Sequence, residues 1–291
     1  MPSTALIVDS TALLTPELVA ATGARVVPVT VTVDGVDYTE GVDLDADTFF
    51  EMLSAEPRPA VSTAQPAPGR FVAELHEAEA AGAEDAVAVL VGSAFSGTVD
   101  AARVAAANGP IPLTVADTGQ ASFGIGLCAI AAAEAIGAGA DAMAAAEVAL
   151  GLTNQVESVF IVQAVELALA SGRFDGTLAA APATADGDRA AVDAPIPVLR
   201  HGPAGLSVVA EVSSLDEAVE AMALVVVEAG WPVRVASGLA DRATRPVTEA
   251  LEARLSAHPL VVDLLRYRVG PSVAANVGAG TAGVFFHPAA G

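Results

Sequence analysis

Three hydroxyl side chains and a glycine lie close together in one short segment of the chain, at Ser93, Ser96, Gly97 and Thr98. The apolar run before them, residues 86–91, predicts a buried parallel strand, and the residues after them predict a helix. A junction of this kind presents unpaired backbone N–H groups and the positive end of the helix dipole. Together these features predict a loop that binds a negatively charged ligand group.

A purely structural role for these hydroxyls stays open as an alternative. Ser93 or Ser96 can cap the helix that follows, and one hydroxyl is sufficient for a cap. The polar segment at residues 61–66 carries Thr63, which turn formation alone can explain. Three hydroxyls beside a glycine nevertheless favour a binding loop over a simple cap.

A hydrolase or phosphatase-like enzyme is a second functional hypothesis. Such an enzyme would use Ser10 or Ser96 as its nucleophile, with Asp9 or Asp117 as base or metal ligand, since both acids follow predicted parallel strands. Two observations weigh against it. The Gly-x-Ser-x-Gly pattern is absent around Ser96. The N-terminal half has a single histidine, His76, which we predict to be exposed on a helix.

Composition and charge exclude several classes of protein. The chain has 291 residues, 53% hydrophobic but only 4% aromatic, and its mean hydropathy is +0.56. Acidic residues interrupt the longest apolar stretch, at Glu134, Asp141 and Glu147, so no run reaches the roughly 20 apolar residues of a spanning helix. We therefore expect no stable membrane insertion. The formal charge of −22 disfavours binding to nucleic acid and to anionic membranes.

The inventory of reactive side chains is small. Every basic residue is an arginine, which excludes a Schiff-base lysine and a P-loop lysine. Cys128 is the only cysteine and the four histidines are scattered, so we predict no internal disulfide and no metal site. The first residues lack the basic region of a signal peptide, which predicts a cytoplasmic protein.

Strands and helices alternate along the first half of the chain. This alternation predicts a parallel, Rossmann-like α/β sheet wound on both faces, in a domain covering residues 1–155. Within it, we predict one strand over residues 25–33 and a two-residue hairpin turn at Asp34-Gly35.

The second half follows a different pattern. Residues 196–199 and 206–212 predict an antiparallel pair of strands, and a helix is predicted over residues 164–170. Residues 177–193 show little periodicity. Short turns between strands, with helices among them, predict an α+β domain over residues 156–291.

Six short motifs follow one another along the first 173 residues. They are Val8-Asp9-Ser10-Thr11-Ala12, Val27-Pro28-Val29, Thr63-Ala64-Gln65-Pro66, Ser93-Ala94-Phe95-Ser96-Gly97-Thr98, Asp117-Thr118 and Ser171-Gly172-Arg173. In this order and spacing they resemble the DegV family of bacterial fatty-acid-binding proteins. The resemblance is close over residues 5–173 and thinner afterwards.

The resemblance implies a two-domain lipid carrier that binds one long-chain fatty acid, such as palmitate or oleate, in an interdomain tunnel. The family's head-group hydroxyls correspond here to Thr63 and Ser96, and we add Ser93, Gly97 and Asn276 to the expected ligand-binding set. The resemblance implies no catalytic residue and no cofactor besides the bound acid. It also implies a possible partner, a fatty acid kinase that phosphorylates the acid.

Several positions depart from the family pattern, and three of them bear on the expected site. Glu40 stands where the family usually has aspartate, Ala64 replaces a serine, and Asn276 replaces a histidine in the C-terminal loop. Asparagine can donate a hydrogen bond to a carboxylate but cannot carry a positive charge. For the tail, we expect small and aliphatic lining residues that include Phe95 and Ile125.

Overall fold

The computed structural model describes residues 3–163, 172 and 195–289. Its strands are β1 (Thr4–Asp9), β2 (Arg25–Val27), β3 (Thr30–Val33), β4 (Val36–Thr39), β5 (Val61–Ala64), β6 (Asp85–Leu90), β7 (Leu113–Asp117), β8 (Glu157–Ile161), β9 (Ile196–Gly202), β10 (Gly205–Val212), β11 (Val233–Leu239), β12 (Val261–Arg268) and β13 (Ala282–Pro288). Its α-helices are α1 (Pro16–Thr22), α2 (Ala46–Leu53), α3 (Pro68–Ala80), α4 (Thr98–Ala106), α5 (Phe123–Gly137), α6 (Ala142–Thr153), α7 (Leu215–Val227), α8 (Arg245–Ser256) and α9 (Pro271–Val277).

A four-stranded parallel sheet, in the order β2-β1-β6-β7, forms the centre of the first half. Its strands are apolar on both faces because helices cover both faces. In β6, Val87 and Val89 pack with α5 and α6, whereas Ala86 and Ala88 pack with α3 and α4. The predicted parallel sheet wound on both faces is confirmed.

A small antiparallel sheet, in the order β4-β3-β5, lies in the same half of the chain. Asp34 and Gly35 connect β3 to β4 with φ angles of 48° and 81°. Positive φ at both central residues is what a type I′ turn requires, so the predicted hairpin is confirmed. Thr63 lies in β5, opposite Val31, and the interpretation of its segment as a turn is wrong.

The prediction of one strand over residues 25–33 is also wrong. The parallel sheet contains β2, and the antiparallel sheet contains β3. Pro28 lies between the two strands and has no N–H to donate to a continuous ladder.

The second half contains a six-stranded mixed sheet in the order β10-β9-β8-β13-β11-β12. Helices α7 and α8 pack on it around a core that includes Met222, Leu251 and Phe286. The predicted antiparallel pair is confirmed as β9 and β10, in which Gly202 lies opposite Gly205. Helix α9 was not predicted, because its seven residues are too few for a clear helical period. The fold class, a parallel α/β part and a separate α+β part, is confirmed.

By its internal contacts the chain divides into two compact units built from interleaved segments. The first unit contains Met1–Asp45, Pro59–Asn154 and Gly270–Ser272, and the second contains Ala46–Arg58, Gln155–Val269 and Val273–Gly291. The domains at 1–155 and 156–291 stay a prediction, because compactness alone does not show that a segment folds independently.

The helix predicted over residues 164–170, the segment 177–193 and most of the Ser171-Gly172-Arg173 motif lie outside the described residues. In the part of the chain that is described, no helix combines the length and apolar composition needed to cross a bilayer.

Candidate functional site

The segment with the three hydroxyls connects the end of β6 to the start of α4, as predicted. Gly97 is the N-cap residue of α4 and makes no side-chain capping bond. The Ser96 hydroxyl lies 2.9 Å from Thr98 Oγ1 and accepts a hydrogen bond of 3.3 Å from the Thr98 N–H. Ser96 therefore bonds the first helical N–H from outside the cap position. Ser93 is exposed and lies further from the helix, so neither serine is the N-cap residue.

Gln65, the residue directly after β5, brings the segment that carries Thr63 into contact with this loop. A Cβ atom built on Gly97 would lie 2.0 Å from Gln65 Oε1 and 2.8 Å from Gln65 Cδ. The side chain of Gln65 thus occupies the space that any residue other than glycine would need at position 97. The structure brings together the Thr63 and Ser96 segments, which lie 33 positions apart in the sequence.

The neighbouring strand β7 supports the same loop from Asp117. Its Oδ1 accepts hydrogen bonds from the backbone N–H groups of Ser93, at 3.0 Å, and Gly119, at 3.3 Å. Partial burial opposes ionisation of Asp117, but the hydrogen bonds from Ser93 and Gly119 and the charge of Arg103 outweigh it and lower its pKa. Asp117 is therefore ionised at neutral pH and fixes the start of the loop.

The two loops that follow β6 and β7 approach each other closely. A Cβ atom on Gly92 would lie 2.7 Å from the backbone of Gly119, and the Gly92 N–H donates to Gln120 O at 2.8 Å. The amide of Gln120 in turn donates to Thr153 O at 3.0 Å. Only glycine fits at position 92, so backbone contact holds the edge of the sheet together.

Asp9, at the end of β1, is fully buried, and its carboxyl oxygens accept hydrogen bonds from nearby residues of the sheet edge. Its Oδ1 accepts hydrogen bonds from the N–H and the hydroxyl of Thr11, and its Oδ2 accepts one from the Val91 N–H at 2.9 Å. Burial raises the pKa of Asp9 against the opposing effect of these hydrogen bonds. Asp9 fixes the junction of β1 and β6.

Glu40 is a second buried carboxyl group, and its contacts were not predicted from the sequence. Glu40 Oε2 accepts a hydrogen bond from the Ser10 hydroxyl, which itself accepts one from the Val29 N–H at 3.0 Å. Glu40 Oε1 accepts from the backbone N–H and the hydroxyl of Ser272, both at 2.8 Å. A Cβ atom on Gly270 would lie 2.7 Å from the same oxygen.

Burial raises the pKa of Glu40; hydrogen bonds from Ser10 and Ser272 oppose this shift, and the charge of Asp9 adds to it. The one sequence signal for this contact was Pro271, a residue typical of the first position of a helix, which places Ser272 in a first turn, where backbone N–H groups require acceptors from outside the helix.

These contacts do not form the pairs that the enzyme hypothesis requires. Ser10 donates to Glu40, while the acceptors of Asp9 are taken by Thr11 and Val91. Ser96 bonds within its own loop, and Asp117 holds backbone N–H groups. Each acid therefore has a structural task at the sheet edge.

Asn276 belongs to the second unit and lies in α9, so the prediction that it lies in a loop is wrong. The chain turns after it at Gly278 and Gly280, whose φ angles are 75° and 80°. The Gly280 N–H donates to Asp241 Oδ2 at 2.8 Å. The inclusion of Asn276 in the head-group site with Thr63 and Ser96 stays a prediction.

The remaining expected residues have core or surface positions. Ile125 is fully buried, and Phe95 packs against the same apolar core of the first unit. The side chain of His76 is 62% exposed, as predicted. Among the residues that the structure describes, no three His, Cys, Asp or Glu side chains are grouped as metal ligands.

Comparisons with known proteins agree with this architecture. A DegV domain-containing protein of Streptomyces coelicolor is 35% identical over 146 residues, 49% of this chain and 51% of that protein. One from Deinococcus radiodurans is 33% identical over 177 residues, 61% of this chain and 62% of that protein. The chain thus matches between one half and two thirds of the length of these curated relatives.

Solved structures match over almost the whole chain. A DegV family protein from Thermus thermophilus, described by its fatty acid binding, superposes with a TM-score of 0.85 at 24% identity, covering 99% of this chain and all of that one. DegV of Bacillus subtilis, described as a fatty acid binding protein, gives a TM-score of 0.80 at 22% identity with the same coverage. At these identities the likeness establishes the fold.

The motifs and their order predicted the family, and a family model tests that prediction directly. The model for the DegV family, whose members are described as uncharacterised proteins, matches residues 3–289. Because the match covers nearly the whole sequence, this protein belongs to the DegV family.

Proposed function

We propose that this protein is a carrier that binds a long-chain fatty acid, with the carboxylate on the hydroxyls of Thr63 and Ser96. The observation that carries the proposal is the contact of Gln65 with Gly97, which joins the two hydroxyl segments at the edge of the parallel sheet. Ser93 and Gly97 belong to the same loop and are included in the head-group site. Asn276 is included by family resemblance.

Neutral donors suit this head group in a chain with so few cations. Hydroxyls and the first N–H groups of α4 can hold a carboxylate without an ion pair. The affinity then comes from the tail. Burial of about 14 methylene groups at ~0.8 kcal/mol each gives roughly 11 kcal/mol before the entropic costs of binding. The head-group site needs only to orient the acid.

The structural relatives support this ligand class. The Thermus thermophilus and Bacillus subtilis proteins are both described as fatty acid binding, and a related protein from Eubacterium ventriosum is described as binding stearic acid. These descriptions concern binding, which favours a carrier over an enzyme for this chain as well.

The direct test is to extract the purified protein with organic solvent and identify the lipid by mass spectrometry. We expect about one long-chain fatty acid per chain, and after delipidation we expect the protein to bind added palmitate or oleate. We expect no turnover of simple esters or phosphate esters. A protein that carries no lipid and binds neither acid would overturn the proposal.

Two substitutions test the head-group site. Ser96→Ala and Thr63→Ala each remove a hydrogen bond to a charged acceptor, so palmitate affinity should fall by about 10- to 150-fold. Ser62→Ala is the matched control, because Ser62 neighbours Thr63 in β5, points to the opposite face and is exposed. Unchanged affinity in Thr63→Ala would remove Thr63 from the site.

A fatty acid kinase is the partner we propose for the loaded carrier, on the strength of the family resemblance. Incubation with such a kinase and ATP should produce an acyl phosphate, which hydroxylamine traps as the hydroxamate. The same kinase given palmitate without the carrier is the control. Equal hydroxamate in both reactions would contradict this partner.

A further inference from the structure

A glycine at position 97 is not explained by backbone conformation. Its φ and ψ are −76° and 10°, which residues of any type adopt. Capping does not require a glycine either, because serine, threonine, aspartate or asparagine at the N-cap would stabilise the helix by roughly a few tenths of a kcal/mol relative to glycine. Helix α4 has no such side-chain bond at Gly97. Neither backbone conformation nor capping therefore requires a glycine at this position.

The requirement is space for Gln65. A Cβ atom on Gly97 would lie 2.0, 2.8 and 3.0 Å from Gln65 Oε1, Cδ and Nε2, three atoms of one amide group. The amide group, with its oxygen nearest, thus occupies the position that a Cβ atom on Gly97 would take. Contacts this short are not found for real Cβ atoms, so alanine at position 97 would displace the amide.

From this packing we infer that Gln65 is a positioning residue, which holds the Thr63 strand against the Ser96 loop so that both hydroxyls address one carboxylate. The inference rests on the proposed function for its ligand, but the contact itself does not. Thr63 is two residues from Gln65, and Ser96 is adjacent to Gly97. The contact of the Gln65 amide with Gly97 therefore lies close to both hydroxyl residues in the sequence. Loss of the amide should increase the freedom of one hydroxyl relative to the other.

A double-mutant cycle tests the inference. Gln65→Ala and Gly97→Ala should each weaken palmitate binding by about 3- to 30-fold. The double variant should bind no worse than Gln65→Ala alone, because the methyl group introduced by Gly97→Ala then occupies the space vacated by the amide. Gly69→Ala is the control, since Gly69 lies in α3 and a methyl group added there would have no atom within 4 Å. Additive losses in the double variant would overturn the inference.

Two further measurements separate positioning from a general loss of structure. Methyl palmitate lacks the carboxylate charge, so its affinity should change less than that of palmitate in Gln65→Ala. An equal loss for both ligands would contradict a role in head-group positioning. In the ligand-free protein, Gln65→Ala should speed amide hydrogen exchange in the peptide covering residues 92–98, with no change over residues 123–137.

The outcomes distinguish the two proposals. If the wild type does not bind palmitate but Gln65→Ala still speeds exchange in residues 92–98, the proposed function fails and the positioning role of Gln65 stands. If Thr63→Ala and Ser96→Ala lose affinity while Gln65→Ala keeps both affinity and exchange protection, the proposed function stands and the role of Gln65 is refuted.

Discussion

Removal of the Glu40 side chain should strongly destabilise the first unit. Its carboxylate accepts hydrogen bonds from the Ser10 hydroxyl and from the N–H and hydroxyl of Ser272. Glu40→Ala leaves these three donors without their acceptor in a buried position. At about 1.5–3 kcal/mol for each hydrogen bond to a charged group, the gross loss is about 4.5–9 kcal/mol.

Two effects reduce this gross value. The variant no longer buries a charge, and the hydroxyls of Ser10 and Ser272 can rotate toward other acceptors. We therefore expect the free energy of unfolding of the first unit to fall by about 3–5 kcal/mol, which is among the large values caused by breaking a buried hydrogen-bond network. Glu84→Ala is the control, because Glu84 is exposed, and its effect should stay within about 0.5 kcal/mol.

The assay must report on each unit separately, since two units need not unfold together. Urea titration with pulsed hydrogen–deuterium exchange reports on the first unit through peptides from β1 and β6. Fluorescence of Trp231, the single tryptophan, reports on the second unit. A loss below about 1 kcal/mol in the β1 and β6 peptides of Glu40→Ala would refute the reasoning from its three hydrogen bonds.

Three more outcomes are expected. Because burial raises the pKa of Glu40 above its ordinary value of 4.5, the folded protein holds a proton that the unfolded chain releases in the pH range between 4.5 and this raised pKa. The stability that this group contributes is fully present below pH 4.5 and is lost as pH rises from 4.5 through the raised pKa of the folded state. On acidification from pH 7, urea titrations should therefore show the wild type gaining stability relative to Glu40→Gln. A difference in unfolding free energy that does not change with pH would contradict this. Gly92→Ala should lower the melting temperature in thermal scans, because the added methyl group would collide with the backbone of Gly119. Gly151→Ala should raise stability by up to about 1 kcal/mol in the same scans, because Gly151 lies in α6 and no atom lies within 4 Å of the added methyl group. Burial raises the pKa of Cys128 to about 11, so at pH 8 a thiol reagent should modify it only after unfolding, and rapid labelling of the native protein would show that it is accessible.

The sequence predicted the parallel sheet because its strands carry the signal in their own residues. The run over residues 86–91 is apolar at every position, as a strand covered on both faces must be, and a glycine-containing loop follows it. Asp34-Gly35 likewise predicted its hairpin, since few other residue pairs adopt positive φ at both positions. These features are local, so neighbouring residues were sufficient to identify them.

The errors and omissions arose where distant residues decide the structure. β2 and β3 pair with strands of different sheets, and Pro28 lies between them. The alternation of residues 25–33 is the same whether they form one strand or two, so it does not predict this separation. Thr63 is in a strand because β3 pairs with it. The contact of Glu40 with Ser272 joins residues 232 positions apart. Gln65 contacts Gly97 although α3 and β6 lie between them in the sequence. A single sequence does not identify both partners of such a contact: Pro271 indicates the start of a helix, but not which distant side chain meets it.

The contact between Glu40 and Ser272 also has a consequence for biosynthesis. The first unit takes its last segment, Gly270–Ser272, from a part of the chain that is translated long after the rest of the unit. At about 5–20 residues per second, the 232 residues between the two partners take roughly 10–50 s to synthesise. For that time the carboxyl group of Glu40 lacks the hydrogen bonds from Ser272 and has only its contact with Ser10. The final packing around Glu40 therefore has to wait until Ser272 has been synthesised, even where the parallel sheet has already formed on the ribosome.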